Sequence, residues 1–185
     1  MAIPTRDQAE AILASFDLPA GIITHSRGVS RVAAEAARLV AGHGVGLDVE
    51  LVEVAALLHD IDKMETREGG GVHGLVGAER LTAMGHGELA PAVASHPVTA
   101  LLDEDRFPRG WPSVLVSVAD RHVTGGFVTT DQRIDDLAIR YPQHKAALEA
   151  ARRPAHDLEA EVADAAGLSV DELGARMRAA CETAP

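Results

Sequence analysis

Apolar residues recur every three or four positions along most of the chain, which is the spacing of one face of an α-helix. The predicted helices cover residues 5–16, 22–41, 48–60, 73–84, 88–95, 111–122, 134–141, 146–151 and 169–177. The run 114–118 resembles a strand when taken alone, but it lies inside one of these helical patterns. We therefore predict an all-α protein.

Capping residues and prolines set the expected helix boundaries. Thr5 and Ser169 each begin a capping box, with a Gln or Glu three residues later. Pro154 is expected to end the helix before it, because proline lacks the N–H that a helix interior needs. The segment 97–112 holds three of the nine prolines, so we expect a surface connection with one helical turn.

Length and composition favour one helical domain. With 185 residues the chain can bury one sizeable core, and a single domain over residues 1–185 is expected. The hydrophobic fraction of 46% is that of a globular protein. Aromatic residues make up only 3%, which favours helices, since Ala, Val and Leu alone can fill a helical core.

Charge and cysteine content narrow the classes of function. The net charge of −11 argues against an extended nucleic-acid surface, although a bound cation can still attract a small phosphorylated ligand. Cys181 is the only cysteine, so neither an intramolecular disulfide nor a thiolate metal cluster is expected. The sequence shows no signal-peptide pattern and no membrane-spanning run, which predicts a cytoplasmic protein without membrane contact.

The strongest chemical signal is the pair His59-Asp60 at the end of a strongly apolar helix. Both side chains are competent metal ligands. Neighbours on a helix point about 100° apart, so both reach one centre only if Asp60 extends sideways, for instance by bridging two cations. Taken alone, such a pair is more often a structural hydrogen bond between imidazole and carboxylate.

Several further histidines and one aspartate share this position at or near the end of an apolar helix. With His59, the set comprises His25, His73, His96 and Asp120. Side chains from several helix ends can converge on one cleft in a helical bundle. The sequence therefore favours a hydrolytic metal site over an isolated structural pair.

Three segments resemble the HD-domain superfamily of helical, metal-dependent phosphohydrolases. They are HSRGV at residues 25–29, AALLHDIDK at residues 55–63 and VADR at residues 118–121. The superfamily binds metal through a histidine, a His-Asp pair and a later aspartate, which here match His25, His59, Asp60 and Asp120. The resemblance implies an HD core near residues 22–141 and a C-terminal helical extension near residues 143–183.

His73 and His96 match two additional ligands of the histidine-rich subset of the superfamily, which tends to be binuclear. Within the superfamily, residues 25–141 of this chain resemble bacterial HD proteins that act as symmetrical dinucleoside-tetraphosphate hydrolases. The resemblance implies one metal held by His25, His59, Asp60 and Asp120, and a second held by His73 and His96 with Asp60 as the bridge. Nitrogen and oxygen ligands of this kind suit iron, manganese, cobalt, nickel or zinc.

The resemblance also implies a reaction, the hydrolysis of a phosphoester or phosphoanhydride in a small substrate such as a nucleotide, through metal-activated hydroxide. The expected catalytic residues are Asp60 as a bridging ligand and Lys63 and Arg121 as phosphate-binding groups. Arg27 is a further phosphate-binding candidate. These cations could instead be solvated charges or partners of helix C-termini. The remaining histidines are expected at the surface, namely His43, His86, His122, His144 and His156.

The sequence departs from the superfamily pattern in two places. Asp62 stands where many relatives have glycine, so an additional carboxylate can enter the site. Arg121 and His122 follow the last aspartate, and they bear on the choice of substrate more than on the metal.

Two other functions are compatible with the same ligands. An HD-type di-iron oxygenase would activate O₂ instead of water, whereas a phosphohydrolase would turn over without oxygen. A non-catalytic metal- or nucleotide-binding sensor domain would use the site to bind a ligand or to lock the helices together. The sequence is compatible with a homodimer as well as with a monomer.

Overall fold

Residues 3–183 are described by a computed structural model of the chain. Within them the chain forms ten α-helices, joined by turns and short 3-10 segments. The helices are α1 (Arg6–Ala14), α2 (Ala20–Gly42), α3 (Val49–Leu58), α4 (Lys63–Arg67), α5 (Leu75–Ala83), α6 (Ala90–Ser95), α7 (Trp111–Arg121), α8 (Thr130–Arg140), α9 (Lys145–Ala165) and α10 (Val170–Glu182). The prediction of an all-α fold is confirmed. None of these helices is both long and apolar enough to cross a membrane.

The core is built around α3, which is apolar on almost every side. It packs against α1, α2, α6 and α7, and six of its ten residues are buried. A helix that is apolar all round belongs in the interior of a domain. α2 covers it with a face that includes the buried Ala33, Ala36 and Ala37, and such small side chains let two helix axes approach closely. The burial of α3 fixes the position of the residues that follow it, His59 and Asp60.

Side-chain caps fix the first turns of four helices. Thr5, Thr129 and Ser169 each form a capping box, at the starts of α1, α8 and α10. Asp48 accepts a hydrogen bond from the Leu51 N–H at the start of α3. Each cap satisfies an N–H group that the first helical turn leaves without a partner. The predicted boxes at Thr5 and Ser169 are confirmed.

The prediction that Pro154 ends a helix is wrong. α9 runs from Lys145 to Ala165 with Pro154 inside it. Proline in a helix interior costs about 3 kcal/mol. Burial offsets this cost, because apolar residues on one face of α9 are buried both before and after the proline. These residues are Leu148, Ala151, Ala155, Leu158, Val162 and Ala163.

The connection 97–112 lies only partly at the surface. Val98–Leu102 forms a 3-10 turn, in which Val98, Ala100 and Leu101 are buried. This turn packs against α9, which supplies the cover for its apolar side chains. The predicted helical turn is confirmed, whereas the prediction of a surface connection is wrong for this part of the segment.

Replacing Pro154 tests the continuity of α9. We expect Pro154→Ala to raise the free energy of unfolding by up to about 3 kcal/mol, because alanine restores a helical N–H and a favourable propensity. Urea denaturation followed by circular dichroism measures this change. Pro142→Ala serves as the control, since Pro142 lies in the short 3-10 turn before α9. An unchanged or lower stability in Pro154→Ala would contradict a continuous helix.

Candidate metal centre

Five helices bring the six predicted ligands to one place in the bundle. They are His25 within α2, His59 and Asp60 directly after α3, His73 before α5, His96 directly after α6, and Asp120 near the end of α7. The chain turns immediately after Leu58 and begins α4 at Lys63, so the His-Asp pair lies in a tight turn between two helices. That turn lets neighbouring side chains face the same centre.

Asp60 lies between the histidines and is only 2% exposed. Its Oδ1 atom is 3.2 Å from His73 Nε2 and 3.5 Å from His96 Nε2. The same oxygen is 3.6 Å from His59 Nε2, and the Oδ2 atom is 3.7 Å from His25 Nε2. The two carboxylate oxygens therefore face different histidines, as a bridging carboxylate requires.

Asp120 completes a second group of donors. Its Oδ1 atom is 3.0 Å from His25 Nε2 and 3.6 Å from His59 Nε2. Donor atoms of His25, His59 and Asp120 lie within 4.8 Å of one another, and so do those of His59, Asp60 and His96. His59 thus belongs to both groups, whereas the resemblance assigned it to the first metal alone.

Hydrogen bonds at the outer side of three imidazole rings turn their Nε2 atoms toward the cluster. His59 Nδ1 and His96 Nδ1 each donate to the carbonyl oxygen three residues earlier, at 2.7 Å. His73 Nδ1 donates to Asp62 Oδ1 at 2.8 Å. A hydrogen on Nδ1 leaves the lone pair on Nε2, which is the form in which a neutral imidazole binds a metal.

The contacts between these rings fit a bound cation. The Nε2 atoms of His73 and His96 are 3.1 Å apart, and those of His25 and His59 are 3.2 Å apart. In the tautomers set by their outer hydrogen bonds, His73 and His96 point lone pairs at each other, and a cation between them would relieve the repulsion. Asp120 Oδ1 is also buried without a well-directed hydrogen bond from the described residues. The donor set suits a divalent transition metal.

The electrostatics keep Asp60, Asp120 and His96 in their metal-binding forms. Burial raises the pKa of Asp60, but His59 and Lys63 outweigh this effect and hold it well below the usual value. Burial likewise opposes ionisation of Asp120, yet its contacts with His25 and His59 keep its pKa well below the usual value. Burial lowers the pKa of His96 to about 4, which leaves its imidazole neutral. The lowered pKa values of Asp60 and Asp120 mean that both carboxylates are anionic at neutral pH.

The pKa of His59 is shifted in the opposite direction to that of His96. Burial lowers its pKa, but the negative charges of Asp60 and Asp120 outweigh burial and raise the pKa above the ordinary value. The field that favours a proton on this ring also favours a metal cation between the rings. The two buried carboxylates thus place negative charge next to the His59 ring.

Asp62 lies behind His73 and does not face the cluster, which corrects the expectation that its carboxylate can enter the site. Its Oδ1 atom accepts the hydrogen bond from His73, and its Oδ2 atom accepts from the N–H groups of Gly74 and Gly77, at 2.7 and 3.0 Å. Gly74 has a φ of +86°, and a Cβ there would lie 2.9 Å from the Val93 carbonyl oxygen. The turn thus needs glycine, and it lets Asp62 fix the orientation of His73.

Two cavities lie beside the cluster. The larger, of about 530 Å³, includes His73, His96 and Asp120 in its lining. The smaller, of about 270 Å³, includes His25 and Asp60. The residues that line both cavities are Lys63, Arg67, Arg133, Leu137 and Tyr141. Three of these five are cationic, so the wall shared by the cavities is positively charged although the chain carries a net charge of −11.

Lys63 lies where the sequence predicted a phosphate-binding group. Its Nζ atom donates to Asp60 Oδ1 at 3.0 Å and lies 3.2 Å from His73 Nε2. The side chain is half-buried and lines both cavities. It can therefore contact an anion bound next to the ligands.

The other two predicted phosphate-binding residues are not brought to the cavities. Arg121 is 1% exposed, donates to Ser117 Oγ at 2.8 Å and lines neither cavity. Burial lowers the pKa of Arg121 to about 10. Arg27 lies at the surface, where its guanidinium pairs with Glu10. The proposed contact of Arg121 with phosphate is wrong, because the side chain of a helical residue next to Asp120 points into the core and not into the cavity.

Arg67 and Arg133 line both cavities and were not predicted from the sequence, and of the two only Arg133 is buried. It belongs to the buried face of α8, with Thr130, Ile134 and Ala138. The sequence did contain a signal for Arg133, because it lies on the apolar face of the α8 pattern. A charged side chain is rarely buried without a partner. Its Nη2 atom is 3.6 Å from Asp120 Oδ1.

The histidines outside the cluster follow the prediction with one clear exception. His43, His144 and His156 are exposed, and His86 is half-buried. His122 is 2% exposed, so the prediction of a surface position is wrong for this residue. Its ring stacks on Phe127, and its Nε2 atom is 3.3 Å from Glu159 Oε1. Glu159 lies in the part of α9 beyond Pro154, where the sequence predicted no helix.

Substitution of Asp62 tests whether its hydrogen bond to His73 contributes to metal binding. We expect Asp62→Asn to weaken the binding of Mn²⁺ by about 10- to 100-fold, as the loss of a carboxylate behind a histidine ligand typically does. Calorimetric titration of metal-depleted protein measures this affinity. Glu68→Gln is the matched control, because Glu68 is an exposed carboxylate in the same connection. An unchanged Mn²⁺ affinity in Asp62→Asn would show that Asp62 serves the turn alone.

Comparison with known proteins gives a family for this fold and site. The HD domain family matches residues 22–124, which include all six clustered side chains. The chain is also 36% identical over 131 residues to "Uncharacterized protein MJ0778" of Methanocaldococcus jannaschii, an alignment that spans 65% of this chain and 75% of that protein. No solved structure matches. With more than half of its length matched, the chain belongs to the HD domain family.

Proposed function

We propose that the protein is a metal-dependent phosphohydrolase that cleaves a phosphoester or phosphoanhydride bond in a small substrate, and that this substrate is a nucleotide. The observation that carries the proposal is the convergence of four histidines and two buried aspartates beside cavities with a cationic wall. Membership of the HD domain family supports it, because that superfamily is one of metal-dependent phosphohydrolases.

Two divalent ions would be held by the six clustered residues. His25, His59 and Asp120 would hold one ion, and His73, His96 and Asp60 would hold the other, with Asp60 placed to contact both. The nitrogen and oxygen donors suit iron, manganese, cobalt, nickel or zinc. When bound, such ions supply Lewis acidity, which polarises a phosphoryl group and lowers the pKa of water to about 7.

The cations of the shared wall would bind the phosphate. Lys63, Arg67 and Arg133 line both cavities, so each can reach an anion that lies next to the ligands. Phosphoryl transfer depends chiefly on positioning and on neutralising charge at the phosphate oxygens. These three side chains would orient the phosphate and stabilise the charge that develops as the bond breaks.

The apolar side chains that line the larger cavity would contact the organic part of the substrate. Val98, Leu137, Tyr141 and Leu148 give it an apolar wall with an aromatic ring. Its volume of about 530 Å³ is within the range of small-ligand sites. A planar base can stack on a tyrosine ring, and this supports a nucleotide over a purely inorganic phosphate substrate.

Phosphate release from a panel of nucleotides and dinucleoside polyphosphates tests the proposal. The assay compares Mn²⁺, Fe²⁺ and Co²⁺ with chelator, and the wild type with Asp60→Ala. We expect metal-dependent release that Asp60→Ala reduces to the level seen with chelator, because this residue contacts both groups of ligands. Asp164→Ala is the control, since Asp164 is exposed on α9 and should leave turnover unchanged.

Two outcomes would contradict the proposal. If the protein binds metal but releases phosphate from none of the compounds, a sensor domain is favoured. Consumption of O₂ coupled to an organic substrate, without phosphate release, would favour an oxygenase.

A further inference from the structure

Arg133 has an unusual position for an arginine. It lies on the inner face of α8 and is only 8% exposed, yet it lines both cavities beside the cluster. Burying a guanidinium is costly unless its hydrogen bonds are satisfied. The contacts around Arg133 therefore show what this side chain is placed to bind.

Protein groups do not satisfy Arg133. Its Nε atom is buried and has no hydrogen-bond partner within the described residues. Its closest carboxylate contact, from Nη2 to Asp120 Oδ1, measures 3.6 Å and exceeds hydrogen-bond length. That oxygen already has His25 Nε2 at 3.0 Å. Asp120 thus balances part of the charge of Arg133 but leaves its donors available.

Three other cations near the cavities make hydrogen bonds or ion pairs with protein groups, and a fourth, Arg67, is exposed at the surface. Arg106 donates to the backbone carbonyls of His73 and Ala94, and Arg140 pairs with Asp136. Lys63 donates to Asp60. Arg133 therefore combines burial, a place on the wall of both cavities and an unpartnered donor.

We propose that Arg133 is a substrate-binding residue whose guanidinium holds a phosphoryl group at the boundary between the two cavities. The planar guanidinium presents several donors in a fixed fork, which matches two oxygens of one phosphate. The inference rests on the proposed function for the identity of the substrate, but not for the binding of the anion.

A purely structural role for Arg133 leads to a different result. If it acted only by neutralising Asp120, its removal would change the affinity for metal and leave the affinity for phosphate of the metal-saturated protein unchanged. If it binds the substrate, its removal weakens phosphate binding at full metal occupancy. Metal affinity and phosphate affinity must therefore be measured separately.

The experiment is a calorimetric titration of inorganic phosphate into Mn²⁺-saturated protein. Bound Mn²⁺ is determined independently by elemental analysis. The variants are Arg133→Gln and Arg133→Lys. Arg152→Gln is the matched control, because Arg152 contacts α8 through Asp131 and Asp135 without lining either cavity.

We expect Arg133→Gln to raise the Kd for phosphate by about 10- to 100-fold with Mn²⁺ content unchanged, the loss typical of hydrogen bonds to a charged group. Arg133→Lys should retain part of the affinity, since it keeps the charge but not the fork. Arg152→Gln should bind phosphate as the wild type does. Arg133→Lys also provides the test if Arg133→Gln does not fold.

The inference is overturned if both Arg133 variants bind phosphate as tightly as the wild type, or if metal-saturated wild type binds no phosphate. Failure of the proposed function gives a different pattern. Arg133-dependent phosphate binding without turnover of any substrate would contradict the phosphohydrolase proposal and support the assignment of Arg133. Turnover with equal KM in the wild type and Arg133→Gln would overturn the assignment alone.

Discussion

The burial of two carboxylates imposes the main constraint on this structure. Asp60 and Asp120 are 2% and 8% exposed, and an isolated charge in such a place would cost several kcal/mol. Histidine side chains from α2 and from the ends of α3 and α6 surround them, together with His73 before α5. Divalent cations bound in this cluster would balance the two negative charges, and the Nε2 atoms that the histidines turn inward would be their ligands.

The apolar character of α3 explains why these charges can be held at all. Its burial on nearly every side gives the following turn a fixed position, and the His-Asp pair lies in that turn. The sequence could predict this part of the site, since each ligand is tied to the end of a helix with a clear hydrophobic period or cap. Such signals depend on residues that are close in the sequence, so they do not require knowledge of how distant segments pack.

The missed features depend on packing between distant segments. Pro154 does not end α9, because the buried face of that helix continues beyond it. That continuation brings Glu159 to His122, and no local pattern around His122 predicts the contact. Arg121 was expected at the substrate site and Arg133 was not considered, and the reason is similar, since the rotation of α7 and α8 in the bundle decides which arginine faces the cavities. The spacing of residues in the sequence shows which side chains share a helix face, but it does not show which helices or cavities that face contacts.

Anomalous diffraction from crystals of the Mn²⁺-loaded protein tests whether the six clustered residues bind metal, because it locates the ions without any assumption about the reaction. We predict two anomalous peaks in the cluster, one between His25, His59 and Asp120, and the other beside Asp60, His73 and His96. In crystals of the Asp60→Ala variant, both peaks should be absent or much weaker. The absence of any peak in this cluster in Mn²⁺-saturated wild-type crystals would show that these six residues do not form a metal site.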